Sequence, residues 1–222
     1  EDKLRPNLNL DRSFNNVEVN TSFSYRFKSR AGLYTNYSVT NSVPSVSQIQ
    51  PFVDESNPLN IVTGNPNLKP TNNHRASINY NKFNFQTGTG FFLNANVNKS
   101  ENKIVTKSVI DPINLVRNTT YENVNGDYRY YIGANYSKKI KLDSINTLTI
   151  RLGNNYSETK NVYFFNGVKS SSNTKSISPS LGFTLDFKNI IQIFPRYNAM
   201  ITKTTFDANS VGNQNYVSHF LN

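Results

Sequence analysis

His74 and His219 are the only imidazoles in the chain. They stand far apart, with no second ligand at metal-binding spacing. The chain contains no cysteine, which removes thiolate metal sites, disulfides and cysteine nucleophiles together. No Gly-x-Ser-x-Gly elbow and no phosphate-cradling glycine loop occurs. One acid–base constellation stays open, in which strands bring His74 beside Asp54 or Asp111. A solvated loop histidine is the simpler reading. The expectation is therefore no enzyme, no metal and no cofactor. The chemistry on offer is recognition, carried by polar side chains that alternate with apolar ones: Glu18, Arg26, Asn94, Asn96, Arg129, Asn135, Arg151 and Arg196.

Strands must position those residues. Val17, Val19, Phe23, Tyr25 and Phe27 alternate with Glu18, Asn20, Ser22, Ser24 and Arg26. Successive side chains of a strand point to opposite faces, so this stretch has one apolar and one polar face. Leu93, Ala95 and Val97 repeat the pattern against Asn94, Asn96 and Asn98, and Tyr128, Tyr130 and Ile132 against Arg129, Tyr131 and Gly133. Ile177, Leu181, Phe183 and Leu185 do so against Ser178, Ser180, Gly182 and Thr184. A weak first strand is expected over residues 4–10.

Connections alternate in length. Tight turns are expected at Lys28, Lys82, Lys138 and Lys188. Wide loops are expected over residues 41–73, 111–118, 166–173 and 207–215. Long half-apolar strands, short turns at one end and wide loops at the other describe a transmembrane β-barrel. Pro179 and Pro195 lack the amide hydrogen of a central strand, so bulges or frayed pairing are expected there.

Composition agrees with a membrane solvent. Across 222 residues, hydrophobic residues make up 36% and charged residues 17%, both low for a soluble domain. Mean hydropathy is −0.56, and no segment has the apolar length of a spanning helix. A crossing must then use strands closed into a barrel. The net charge of +10 permits an anionic partner, but Arg26 and Arg129 oppose Tyr25 and Tyr130 across the strand. That separation argues against an aromatic–basic nucleic-acid face, and no nucleic-acid partner is expected. A soluble β-sandwich binding acidic glycans shows the same alternation and stays open as an alternative.

The connection over residues 41–73 is patterned. Pro44, Pro51, Pro58, Pro66 and Pro70 fix the backbone at intervals, and Gly64 permits an unusual one. Phe52, Leu59 and Leu68 are expected to pin it against the mouth of the scaffold. The run Gly64-Asn65-Pro66-Asn67-Leu68-Lys69-Pro70, preceded by Gln50-Pro51 and Asn57-Pro58-Leu59, resembles Bacteroidota outer-membrane barrels related to TonB-dependent receptors. Thr71 stands where that pattern often has Glu. The resemblance implies a bacterial outer-membrane receptor or transporter, with a plug domain and TonB machinery as partners. It also implies a barrel of about 22 strands.

The fold expected is all-β: about ten antiparallel strands of a larger transmembrane barrel, residues 1–222 forming part of one barrel domain. Neither end of the sequence reads as a natural terminus, so an excerpt of a longer protein is expected. The eight polar residues named first would line the lumen. The expected partners are outer-membrane lipid and a small or oligomeric ligand. A non-transporting adhesin or ligand-binding barrel is the nearest alternative function.

Overall fold

In the computed structural model, residues 11–188, 190–207 and 212–221 are described. The period-two stretches form strands. In chain order they are β1 (Val19–Arg26), β2 (Gly32–Ser42), β3 (Val53–Asp54), β4 (Asn60–Thr63), β5 (Thr71–Asn84), β6 (Thr89–Glu101), β7 (Lys103–Ile110), β8 (Arg117–Val124), β9 (Asp127–Lys141), β10 (Asn146–Phe165), β11 (Val168–Phe187), β12 (Ile191–Ile193), β13 (Arg196–Phe206) and β14 (Gln214–Leu221). One short helix, α1 (Val46–Ile49), lies between β2 and β3.

Ten strands make one antiparallel sheet in the order β1-β2-β5-β6-β9-β10-β11-β13-β14, with β12 also paired to β11. β12 and β13 keep a single register against β11. They are one strand line interrupted at Phe194 and Pro195. Phe183 still donates its amide to the Pro195 carbonyl, 2.9 Å away. At Pro179 the β11–β13 ladder skips from Ile177↔Ile201 to Ser180↔Asn198 without a shift in register. Both prolines thus fray the pairing and neither makes a bulge. Among the described residues the sheet does not close: β1 and β14 are its two edges. A second, four-stranded sheet, β3-β4-β8-β7, stands at the end where the long connections lie.

The registers carry the alternation across the whole sheet. One row runs Phe23, Thr35, Ile78, Ala95, Ile132, Tyr156, Ile177, Ile201, Val217. The row half a period away runs Asn36, Ser77, Asn96, Tyr131, Ser157, Ser176, Thr202, Tyr216. Burial runs opposite to a soluble protein. Ile132 is 47% exposed, Ile177 40% and Ile201 45%, while Thr202 is 4% exposed. Apart from Pro44 and several glycines, the buried apolar residues among the described ones are Ala31, Leu68, Val124, Val162 and Ala199. Among the described residues no second layer covers the apolar rows of this sheet, which removes the β-sandwich alternative.

The polar face is the crowded one. The five strand glycines Gly32, Gly90, Gly133, Gly153 and Gly182 all fall on it. A Cβ on Gly133 would lie 2.5 Å from Asn94 Oδ1, and one on Gly153 would lie 2.5 Å from Ser180 Oγ. Side chains converge on the inner side of a curved sheet, so glycine there relieves overlap between neighbours.

Several boundaries differ from the sequence expectations. The expected wide loop at 166–173 is a two-residue hairpin, Asn166 and Gly167, with φ of 44° and 79°. Positive φ at both central residues is the type I′ geometry that suits strand twist, and the Ser-rich run after it belongs to β11. The turns expected over residues 82–85 and 138–143 are shifted toward the C-terminus, to residues 85–88 and 142–145. The reason is turn chemistry: Asn84 Oδ1 accepts from the Gln86 and Thr87 amides, and Asp143 Oδ1 from those of Ile145 and Asn146. The loop expected at 111–118 shortens because β8 begins at Arg117. Residues 4–10 and part of the 207–215 connection lie outside the described residues.

Candidate functional site

Seven of the eight expected lumen residues share the polar face. Arg26 and Asn135 fall in one row, Asn94 and Asn96 sit two residues apart on β6, and Arg129 opposes Asn98. Arg151, Gly182 and Arg196 form a row across β10, β11 and β13. Glu18 stands just before β1, where its Oε1 accepts the Asn41 amide at 3.1 Å.

Three of them meet in one hollow. Asn135, Arg151 and Arg196, with Phe92, Asn155 and Asn198, line a space of about 360 Å³ on the polar face. The glycines make the space: Gly153 and Gly182 remove two side chains from its floor. Arg151 and Arg196 flank Gly182, whose built Cβ would lie 3.7 Å from Arg196 Nε and 3.9 Å from Arg151 Cβ. Arg151 Nη1 also donates to Thr184 Oγ1. Two guanidiniums beside three amides can hold a carboxylate, phosphate or polyhydroxylated group by charge-assisted hydrogen bonds. Phe92, Asn155 and Asn198 were not singled out in the sequence; their even spacing with the polar set is the signal that places them here.

The patterned loop forms a fixed rim. Gly64 is buried, and a Cβ there would lie 2.1 Å from the Gln50 carbonyl oxygen. That contact, rather than a left-handed φ, demands glycine. The Asn65 amide donates to Gln48 O at 2.7 Å, and Asn65 Nδ2 to Tyr121 O at 2.9 Å. Asn65 Oδ1 accepts the Asn67 amide, folding the chain for the prolines that flank it. Asn123 closes the motif: its Oδ1 accepts from the Lys69 amide at 2.8 Å, and its Nδ2 donates to Lys69 O at 3.0 Å and Asn102 O at 2.6 Å. Leu68 is fully buried, whereas Phe52 and Leu59 are exposed. Leu68 alone among the three expected pins is sealed in. Pro44 is buried, Pro51, Pro66 and Pro70 are half-buried, and Pro58 is exposed.

The histidines have other partners than a catalytic carboxylate pair. His74 Nδ1 is 2.9 Å from Tyr37 Oη, and its Nε2 is 3.9 Å from Glu101. His219 Nδ1 is 2.6 Å from Tyr197 Oη. Asp54 caps the Ser56 amide, which holds its carboxyl below the ordinary range, and Asp111 caps Ile113 and Asn114. Among the described residues, no three His, Asp or Glu gather as a metal site.

Residues 4–217 match the sequence pattern of the outer membrane protein beta-barrel family. The chain belongs to that family. The outer-membrane barrel family member therefore resides in the outer membrane, and its inverted burial is what that location demands. No helix among its described residues is long and apolar enough to cross a membrane. No curated protein matches the chain.

Proposed function

We propose that this chain forms part of the wall of an outer-membrane receptor or transporter, akin to TonB-dependent receptors. Its apolar face meets lipid and its polar face meets ligand or plug. The observation that carries this reading is the inverted sheet: apolar residues exposed on one side, and on the other a crowded polar side with the Arg151–Arg196 hollow. The open edges at β1 and β14 fit a wall that further strands complete, since an unpaired edge in a bilayer is costly. The resemblance at residues 64–70 supports the receptor relation and the Bacteroidota source. The paired arginines favour an anionic or hydroxyl-rich ligand.

The test uses the full-length protein. Binding of ferric chelates, oligosaccharides, peptides and vitamins is measured in detergent, with wild type against R151Q/R196Q. A ligand bound at least about tenfold more weakly by the variant, and taken up by cells only while the proton-motive force is intact, is the expected result. Binding without energised uptake would replace transport with adhesion. The exposure of Ile113 at the β7–β8 tip is the observation that favours this second reading, because such a tip offers an apolar contact to a surface ligand.

A further inference from the structure

The apolar face ends abruptly at the loop side of β10, β11 and β13. Its last apolar row there is Tyr156, Ile177 and Ile201. In the next row toward the loops, Glu158 opposes Lys175, and Lys175 opposes Lys203. One row further, Lys160 opposes Asn173, diagonal to Lys175. These lysines share the outward parity of Ile177 and Ile201, so they continue the apolar face. They are not part of the polar inner wall.

Two like charges directly opposite one another across a ladder destabilise a sheet. Glu158 relieves only part of this. Its Oε1 accepts from Tyr128 Oη and Asn173 Nδ2, both at 2.9 Å, and its Oε2 from Tyr156 Oη at 2.8 Å. Lys175 Nζ lies 3.8 Å from it. Lys160 and Lys203 meet no carboxylate among the described residues. Three cations against one already saturated carboxylate leave an uncompensated positive patch. It sits one side-chain length above lipid-facing Ile177 and Ile201, beside the tyrosines that mark the interface.

We infer that Lys160, Lys175 and Lys203 form a binding site for the phosphate groups of outer-leaflet glycolipid, whose acyl chains lie against Tyr156, Ile177 and Ile201 below. Lysine stems run along apolar surface and lift their ammonium groups to the headgroup level. A lipid satisfies both parts of the patch at once, which a free anion or a soluble protein does not. The site rests on the loop end of the sheet facing the cell exterior.

The full-length protein in detergent is titrated with phosphorylated lipid A and followed by native mass spectrometry. Parallel titrations use dephosphorylated lipid A and inorganic phosphate. Wild type should retain phosphorylated lipid A, hold the dephosphorylated lipid far more weakly and bind no phosphate ion alone. K160Q/K175Q/K203Q should lose at least about tenfold in affinity. K138Q/K139Q/K141Q, with the same charge loss at the turn end, should keep it. K160R/K175R/K203R should also keep it, and K203Q alone should show a smaller loss should the triple variant fail to fold. Equal binding by the Lys→Gln triple or by K203Q, equal loss in the turn-end variant, or equal retention of dephosphorylated lipid would overturn the site. Binding of inorganic phosphate alone would reassign it to a free anion.

Discussion

Ile201 and Thr202 are chain neighbours, yet the isoleucine is largely exposed and the threonine nearly sealed. A period of two explains that they part, and the solvent explains which one is hidden. Arginine placed at Ile132 or Phe183, on the apolar face, should cost about 2–4 kcal/mol near the bilayer midplane. Arginine at Asn96, on the polar face, should cost less than about 1 kcal/mol. Refolding titrations into lipid vesicles measure both, and equal penalties would contradict the two-faced sheet. Polarity alone does not decide tolerance on the inner side. A Cβ at Gly133 also meets Asn155 Oδ1 at 2.7 Å and Tyr131 Oη at 2.9 Å. Gly133→Ala should therefore destabilise by about 1–3 kcal/mol through overpacking, despite adding only a methyl group on the tolerant face. The same titrations would show it.

Among the elements, β1, β2, β5, β6, β9 and β11 were legible in the sequence because alternation is a local signal and each strand repeats it over many residues. β8 was not, because Arg117–Val124 is almost wholly polar and alternates with nothing. Its reason for being a strand is remote: it pairs with β7 and lies parallel to β4. The β10–β11 hairpin was obscured by its serines, whose polarity imitates a loop, although Asn166-Gly167 is a strong hairpin dipeptide. At the candidate site, the polar parity of Asn135, Arg151 and Arg196 was legible, whereas their convergence on one hollow depends on Gly153 and Gly182 lying on adjacent strands. The rim motif was legible as ordered, and of its three nominated pins, Phe52, Leu59 and Leu68, Leu68 is the one sealed in. Asn123, distant in sequence, adds hydrogen bonds to Lys69 and Asn102 that no local pattern announces. Asn123→Ala removes three hydrogen bonds at Lys69 and Asn102. It should cost about 1–3 kcal/mol locally, raising amide exchange over residues 64–70 and leaving β9–β11 unchanged. Exchange that rose equally in all of them would mean that the rim and the wall unfold together.

At the scale of the whole molecule, the apolar band does not follow the rows of paired residues. On β1, β2 and β6 it includes Val19, Val39 and Val97 toward the loop end, in rows where β10, β11 and β13 carry Lys160, Lys175 and Lys203. On β10 to β12 it instead reaches down to Leu148, Leu185, Phe187 and Ile191 at the turn end. A flat bilayer crossing tilted strands does this, and barrel strands tilt by about 35–45°. The aromatic chain Phe23, Tyr25, Phe27, Tyr80 and Phe91 runs along the turn-side margin of β1 to β6. Tyr128 and Tyr130 pair at 4.7 Å on the loop-side margin, as interfacial girdles require. Sidedness then follows from topology. Neighbouring strands in the sheet are antiparallel, so the rim, the β7–β8 tip and the Asn166-Gly167 hairpin share one end, while the turns at 28–30, 85–88 and 142–145 share the other. Because the chain has no cysteine of its own, each introduced thiol reports on a single position. A membrane-impermeant maleimide on intact cells should label Ser56→Cys and Asn114→Cys and leave Thr87→Cys and Ser144→Cys unlabelled until the outer membrane is permeabilised. The reverse pattern would place the rim in the periplasm. The lysine patch would then face the inner leaflet, and both the ligand side and the glycolipid site would have to be given up together.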